Sequence, residues 1–280
     1  MRILITGGLG QVGRALQVEL AGHEVTVVDL PEVDVADRAA AFQAITSANP
    51  ELVIHCAAYT NVDGCAKDPA LAYRVNALGA QNVALACQAI GAEMMHISTN
   101  EVFAGDRLDG YEEWRPLNPV NPYGASKAAA EFHIRSVLPR HYIVRIAWLV
   151  APGGRNFIHA ILKRAREQGQ VRVVVDEVGN PTYSKDLAPA IHQLLQTHQY
   201  GTYHLTNSGV CSRWQFANEI LRCAGLSHIP NVPILTRDYP RASTPPPYAA
   251  LKNVAAASLG ITLRPWQEAV AEYVAEYGNT

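Results

Sequence analysis

The chain has 280 residues, 49% of them hydrophobic, a formal net charge of −2 and a pI near 6.5, which is enough to bury a full core in one large α/β unit with a smaller lobe. That balance offers no polybasic patch for nucleic acid or anionic lipid, and no apolar run reaches transmembrane length, so neither a nucleic acid nor a membrane is expected as a partner. Cys56, Cys65, Cys87, Cys211 and Cys223 form no CxxC and no paired Cys/His spacing, so reduced thiols without a metal are expected, and with no signal peptide a cytoplasmic location.

The first predicted element is a short apolar strand, Arg2-Ile-Leu-Ile-Thr6, running into Gly7-Gly-Leu-Gly10-Gln11-Val12-Gly13 and an amphipathic helix to Ala21. Gly7, Gly10 and Gly13 form GxxGxxG, which suits a tight turn, close approach of backbone to a pyrophosphate, and close packing of helix on strand. The helix N-terminus then offers N–H groups and a positive dipole end to the anion. The next strand, 24–28, ends in Asp29, about 20 residues on, where an acid accepts bonds from an adenosine ribose; a turn or N-cap aspartate would look the same. Leu30 and Pro31 follow with no adjacent cation for a 2′-phosphate, so the local chemistry favours NAD over NADP, with Arg38 the nearest basic residue.

Further strands are predicted near 51–56, 92–98 and 141–146, alternating with helices near 36–48, 69–90 and 122–137. This alternation predicts an α/β fold, a Rossmann-type doubly wound parallel sheet covered on both faces. His55 and Cys56 read as a strand-end pair pointing to opposite faces, not as a metal site. After Trp148 the pattern loosens at Pro152-Gly153-Gly154. A helix near 155–168, a strand 171–175, a helix 184–198, a strand 202–206 and a helix 212–224 follow. Six prolines within 229–248 predict an irregular arm, and a last helix, about 265–277, places Trp266, Val270, Tyr273 and Val274 on one face. The expected division is a dinucleotide-binding domain over 1–148 and a mainly substrate-binding lobe over 149–280, with segments near 171–210 returning to the main sheet.

In an open α/β sheet the ligand sits at the carboxyl ends of the strands. The fourth strand ends in His96-Ile-Ser98-Thr99, and Tyr123-Gly-Ala-Ser-Lys127 opens the helix after Pro122. Residues at i and i+4 share a helix face, so the Lys127 ammonium is expected to lower the phenol's pKa from its ordinary value of about 10. Thr99 would then hold a substrate carbonyl oxygen while Tyr123 gives it a proton and a nicotinamide supplies hydride. Taken singly, each residue has a plainer explanation: a surface aromatic and a surface charge for Tyr123 and Lys127, a β-branched strand end for Thr99. Ser98 is the alternative hydroxyl.

The glycine loop, Ser98-Thr99 and Tyr123/Lys127 resemble an extended short-chain dehydrogenase/reductase, and further segments narrow the likeness. Ala57-Ala-Tyr-Thr-Asn-Val-Asp63, Asn76-Ala77, Val102-Phe103, Asn121-Pro122, Arg145 with Trp148, Asn156-Phe157, and Val175-Asp176 through Gly179-Asn-Pro-Thr182 resemble the dTDP-4-dehydrorhamnose reductase family over nearly the whole chain. The resemblance implies NAD(P)H-dependent reduction of a 4-keto group on a nucleotide-linked deoxysugar, in deoxysugar biosynthesis, by a triad of Thr99, Tyr123 and Lys127, with Lys127 also on the nicotinamide ribose. It implies Gly10, Gln11 and Val12 on the pyrophosphate, Asp34 and Val35 on the adenine side, Ala58, Tyr59 and Thr60 facing the nicotinamide, and Asn100, Glu101, Trp148 and Asn156 on the substrate side. A buried core tryptophan is the other reading of Trp148.

The chain departs from the family's usual pattern in three places. Asn100-Glu101 stands where members usually read Asp-Tyr, placing a carboxylate where they carry a substrate-side phenol. Thr244-Pro-Pro-Pro-Tyr248 stands where an Arg-Pro is usual, leaving Arg241 or Lys252 as candidate anion partners. Cys65-Ala-Lys67 stands where a glutamate often follows, which removes a carboxylate from any magnesium site. A sugar-nucleotide epimerase or dehydratase, or a non-catalytic cofactor-binding subunit, are the alternative functions, and a homodimer is the open expectation for assembly.

Overall fold

The computed structural model describes residues 1–153 and 156–278. Six strands form one parallel sheet: β1 (Arg2–Thr6), β2 (Glu24–Val28), β3 (Leu52–His55), β4 (Glu93–Thr99), β5 (His141–Ile146) and a last strand, Gly201–His204. Their order across the sheet is β2-β1-β3-β4-β5, with Gly201–His204 beyond β5. The chain therefore reverses its direction of growth at β1, and the crevice between the carboxyl ends of β1 and β3 is the topological switch point where ligands of such sheets bind.

Both faces of the sheet are apolar because both are covered. Helix α1 (Gln11–Glu19) and the helix Ser184–Thr197 cover one face, burying Val12, Leu16, Leu187, Ile191 and Leu194 against Ile3, Ile5 and Val144. Helices α2 (Arg38–Ala48), α5 (Gly79–Ile90) and α6 (Pro122–Val137) cover the other, burying Ile45, Val83, Ala84, Ala130 and Ile134 against Leu4, Val53 and Met94. Between β3 and α5 lie two short helices, α3 (Val62–Lys67) and α4 (Pro69–Ala72). The doubly wound sheet expected from the alternation is the one present.

The single helix predicted over 69–90 is interrupted: Tyr73–Leu78 winds as a π-helix between α4 and α5. That wider turn carries Asn76, whose side chain is buried, and such turns concentrate at functional sites.

Two residues beyond β5, Trp148 takes a left-handed backbone conformation with φ 44°. The second lobe then packs the helices Phe157–Gln168, Arg213–Cys223 and Trp266–Tyr277 around Ile158, Ile161, Phe216, Ile220, Val270 and Tyr273. Gly154 of the expected break, and Arg155 at the start of the helix placed at 155–168, lie outside the described residues. The arm at 229–248 is more regular than its prolines predict, because Asn231–Ile234 pairs in parallel with Val171–Val174. Pro233 has no N–H to give, but an edge strand tolerates it. Among the described residues, no helix is long and apolar enough to cross a membrane.

Candidate active site

The switch point is shaped by backbone contact. Gly7 has φ +66°, and a Cβ there would lie 2.5 Å from the Ala57 nitrogen, just past β3. At Gly13 a Cβ would meet the Gly7 carbonyl and the Gly8 Cα, both at 2.6 Å. Loop, strand end and first helical turn therefore touch only because these positions lack side chains. Gly10 is the N-cap of α1 and no side chain caps that end, so the N-terminus of α1, with Gln11 half-buried and Val12 buried, is turned over to the loop. Asp29 accepts from the Leu9 N–H at 2.8 Å and from its own neighbour Leu30 at 2.8 Å. It thus closes the loop onto the end of β2, and each carboxylate oxygen keeps a second lone pair.

Next along the sheet edge, Val35 is buried and its carbonyl accepts from Asn82 at 3.0 Å, while Asp34 is exposed and accepts from the Ala36 N–H at 2.9 Å. Ala58, Tyr59 and Thr60 follow Ala57, the residue past β3 that lies against Gly7. Asn76 holds this segment from both sides: its Oδ1 accepts from the Tyr59 N–H at 2.7 Å and its Nδ2 donates to the Tyr59 carbonyl at 3.1 Å. The same Nδ2 donates to Ser126 at 2.9 Å, and Ser126 in turn donates to the Tyr123 carbonyl at 2.7 Å.

Helix α6 starts where Asn121 caps Gly124 N–H at 2.8 Å, with Pro122 in the first turn. A Cβ at Gly124 would fall 2.0 Å from the Glu101 carbonyl, so this glycine lets the first turn of α6 rest directly on the end of β4. The result brings Thr99, Tyr123 and Lys127 together. The phenol of Tyr123 lies near enough to the hydroxyl of Thr99 for that hydroxyl to act on its pKa, and Lys127 sits one turn further along the same helix, only 2% exposed. Ser98, the alternative hydroxyl, points into the core and donates to Glu131 at 2.7 Å.

The electrostatics differ from the expected pairing. Burial, and then the Glu101 carboxylate, push the Tyr123 phenol above its ordinary value, against the pull of the Thr99 hydroxyl. Lys127 does not lower it, because its ammonium is turned into the protein, 3.0 Å from His96 Nε2 and donating at 2.7 Å to the Ile97 carbonyl. Burial lowers Lys127 to about 8, opposed by Glu131 and Cys56. A phenol held protonated is an acid, the form a carbonyl reduction consumes.

The substrate-side residues separate into two groups. Glu101 is half-buried and accepts from Asn121 Nδ2 at 2.6 Å; burial raises its pKa and the Asn121 bond opposes that rise. Trp148 is half-buried beside Gly179, with the Arg213 guanidinium 3.7 Å from its ring centre. Arg213 also donates to Glu177 at 2.8 Å. By contrast, Asn100 donates to the Ala249 carbonyl at 3.2 Å and so anchors the arm. Asn156 accepts from His159 N–H as a helix cap and donates to Tyr273 at 2.8 Å, which ties its amide into the second lobe and not to the Tyr123 group. Of the two candidate cations, Lys252 is held by Glu112 at 3.0 Å, whereas Arg241 donates to Asp63 at 3.1 Å and lies close enough to Glu101 to lower its pKa.

Sequence reasoning left out Asn76, His96, Arg213 and Glu177. Asn76 had a signal, since Asn76-Ala77 is among the segments that carry the family resemblance, but its role was not assigned; His96 read as a strand residue, and the Glu177–Arg213 pair joins segments too far apart in the chain for any spacing to show.

Comparison with known proteins identifies the family. Residues 1–279 match the family model described as the RmlD substrate binding domain. The chain is 38% identical to the spore coat polysaccharide biosynthesis protein SpsK of Bacillus subtilis, over 98% of this chain and 97% of that protein. It is also 38% identical to a dTDP-4-dehydrorhamnose reductase of Mycolicibacterium smegmatis, over 98% and 85%. Among solved structures, a dTDP-4-dehydrorhamnose reductase of Bacillus anthracis in complex with NADP superposes with a TM-score of 0.94 at 37% identity, over 98% of this chain and 99% of that one. A full-length family match and relatives of this similarity place the chain in the dTDP-4-dehydrorhamnose reductase family, among the Rossmann-fold oxidoreductases.

Proposed function

We propose that the protein reduces the 4-keto group of a dTDP-linked 6-deoxyhexose, dTDP-4-dehydrorhamnose, to an alcohol with NADH or NADPH. The observation that carries this reading is the half-buried Tyr123 phenol beside the buried Thr99 at the end of β4, with Lys127 one turn along the same helix. The dinucleotide fits the residues present. The cradle that a Cβ at Gly7 or Gly13 would fill suits a pyrophosphate against backbone, and the end of α1 that no side chain caps supplies N–H donors. When bound, the nicotinamide supplies hydride to the carbonyl carbon.

The chain's own residues do the rest. Thr99 fixes the phenol and shares the substrate's carbonyl oxygen with it. Tyr123 gives its proton to that oxygen as the alcohol forms, and solvent returns one proton per turnover. Lys127 holds the nicotinamide ribose. Trp148 and Glu101 border the sugar, and Arg241 is the cation offered to the diphosphate. Asp29, just past the end of β2, would hold the adenosine ribose through its carboxylate and disfavour a 2′-phosphate there, so NADH is the expected preference.

The test is turnover of NADH and NADPH against dTDP-4-dehydrorhamnose, other dTDP- and UDP-linked keto sugars, and free ketones. Stoichiometric oxidation of the nicotinamide with dTDP-4-dehydrorhamnose is expected. Turnover of no keto sugar with either cofactor would sink the reading, and product formation without net NADH consumption would point to an epimerase instead.

A further inference from the structure

His55 and His96 lie on neighbouring strands in the floor of the site, both fully buried. Their rings stack with centroids 5.2 Å apart and planes 24° from parallel. His55 Nδ1 is 2.7 Å from the hydroxyl of Thr6, the last residue of β1 before the glycine loop. His96 Nε2 is 3.0 Å from the Lys127 ammonium. One column of side chains thus runs from the strand that feeds the glycine loop to Lys127.

The protonation states follow from the partners. An ammonium has only donors, so His96 Nε2 must accept, and the neutral ring carries its proton on Nδ1. That Nδ1 finds no hydrogen-bond partner, and neither does His55 Nε2. A buried N–H without a partner is destabilising, and an apolar side chain on β4 would avoid it. What an apolar side chain would not provide is an acceptor for Lys127. The Ile97 carbonyl accepts a second N–H at 2.7 Å, which leaves one of the three.

We propose that His96, backed by His55, is a positioning residue for Lys127: its Nε2 and the Ile97 carbonyl take two of the three ammonium N–H groups, so the third is left for the hydroxyls of the nicotinamide ribose. The inference rests on the reading that Lys127 holds that ribose.

The experiment compares His96→Leu, which removes the acceptor, with His96→Gln, which keeps one at similar reach. Dissociation constants for NADH and NADPH are measured by fluorescence, together with kcat, KM for the sugar nucleotide, and thermal midpoints. His96→Leu is expected to weaken cofactor binding by about tenfold or more, the loss of a hydrogen bond to a charged group, with KM for the sugar nucleotide little changed, and His96→Gln to recover most of the affinity. Equal binding by His96→Leu and wild type, or equal loss in both variants, overturns the proposal. If His96→Leu does not fold, 15N-histidine spectra of the wild type and of Lys127→Met decide: the proposal requires a neutral His96 protonated on Nδ1 whose Nε2 signal moves when the ammonium is removed. A signal that is protonated on Nε2, or does not move, overturns it. A wild type that binds cofactor but reduces no sugar nucleotide would sink the substrate assignment and leave this test standing.

Discussion

Tyr123 is an acid because of what surrounds it. Burial and the neighbouring Glu101 hold its proton on, against the pull of the Thr99 hydroxyl, so Tyr123→Phe should lower kcat by roughly 100- to 10,000-fold, the usual contribution of a positioned acid, with cofactor affinity within a factor of about two by direct titration. The pH dependence belongs to Lys127. Burial lowers its pKa to about 8, so the ammonium is present below that value and lost above it, while the phenol stays protonated throughout. The free-enzyme profile, kcat/KM for the cofactor against pH, should therefore fall on its basic side near pH 8. A profile flat to pH 10 would show that Lys127 keeps its charge. Lys127 and Tyr123 were legible as a pair from their spacing, but their mutual charge effect was not. Spacing shows that two side chains share a helix face, and only the packing around them shows that the ammonium is turned to His96 and Ile97 instead.

At the scale of elements, the site depends on how closely β1, β3, β4 and α6 approach. Gly13→Ala would drive a methyl into the Gly7 carbonyl and the Gly8 Cα. The expected outcome is at least a tenfold loss of cofactor affinity, about 1.4 kcal/mol, read by titration with NADH. Below the site, Glu131 accepts from Arg145 at 2.8 and 2.7 Å through both its oxygens, and from Ser98 at 2.7 Å, joining α6 to β4 and β5. Both residues are almost fully buried. Glu131→Gln leaves the Arg145 guanidinium without its counter-charge, and should cost about 3–5 kcal/mol in a urea unfolding titration. The strands and helices of the main sheet were legible from alternating apolar runs, since both faces of a parallel sheet are buried. The π-turn at Tyr73–Leu78 was not, because its cause is the reach of Asn76 to Tyr59 and Ser126, contacts distant in the chain.

For the molecule as a whole, buried neutral histidines set the acid limit. Burial lowers His55 to about 3, and burial together with Arg145 lowers His204 to about 3. The unfolded chain takes up these protons below about pH 6.5, while the folded chain excludes them until about pH 3. Unfolding therefore binds protons across that window, and stability falls as pH drops through it, by up to about 1.4 kcal/mol per pH unit for each such histidine. Urea midpoints measured at pH 7, 6 and 5 should decline steadily, and His204→Gln should flatten the decline. An unchanged slope in that variant would mean that His204 is protonated in the folded protein.

The amino-acid sequence by itself determined the doubly wound sheet and the close-packed glycine turn, and it pointed to Thr99, Tyr123 and Lys127 through a shared helix face and a family resemblance. The first two follow from local periodicity and from glycines where a side chain would not fit, and only the Tyr123–Lys127 pair rests on a spacing. The tertiary structure alone decided that Asn100 and Asn156 are tied to the Ala249 carbonyl and to a helix cap, that Arg241 and not Lys252 is near Glu101, and that His96 stands behind Lys127. Each of those is a contact between segments remote in the chain, formed by burial that no local pattern encodes.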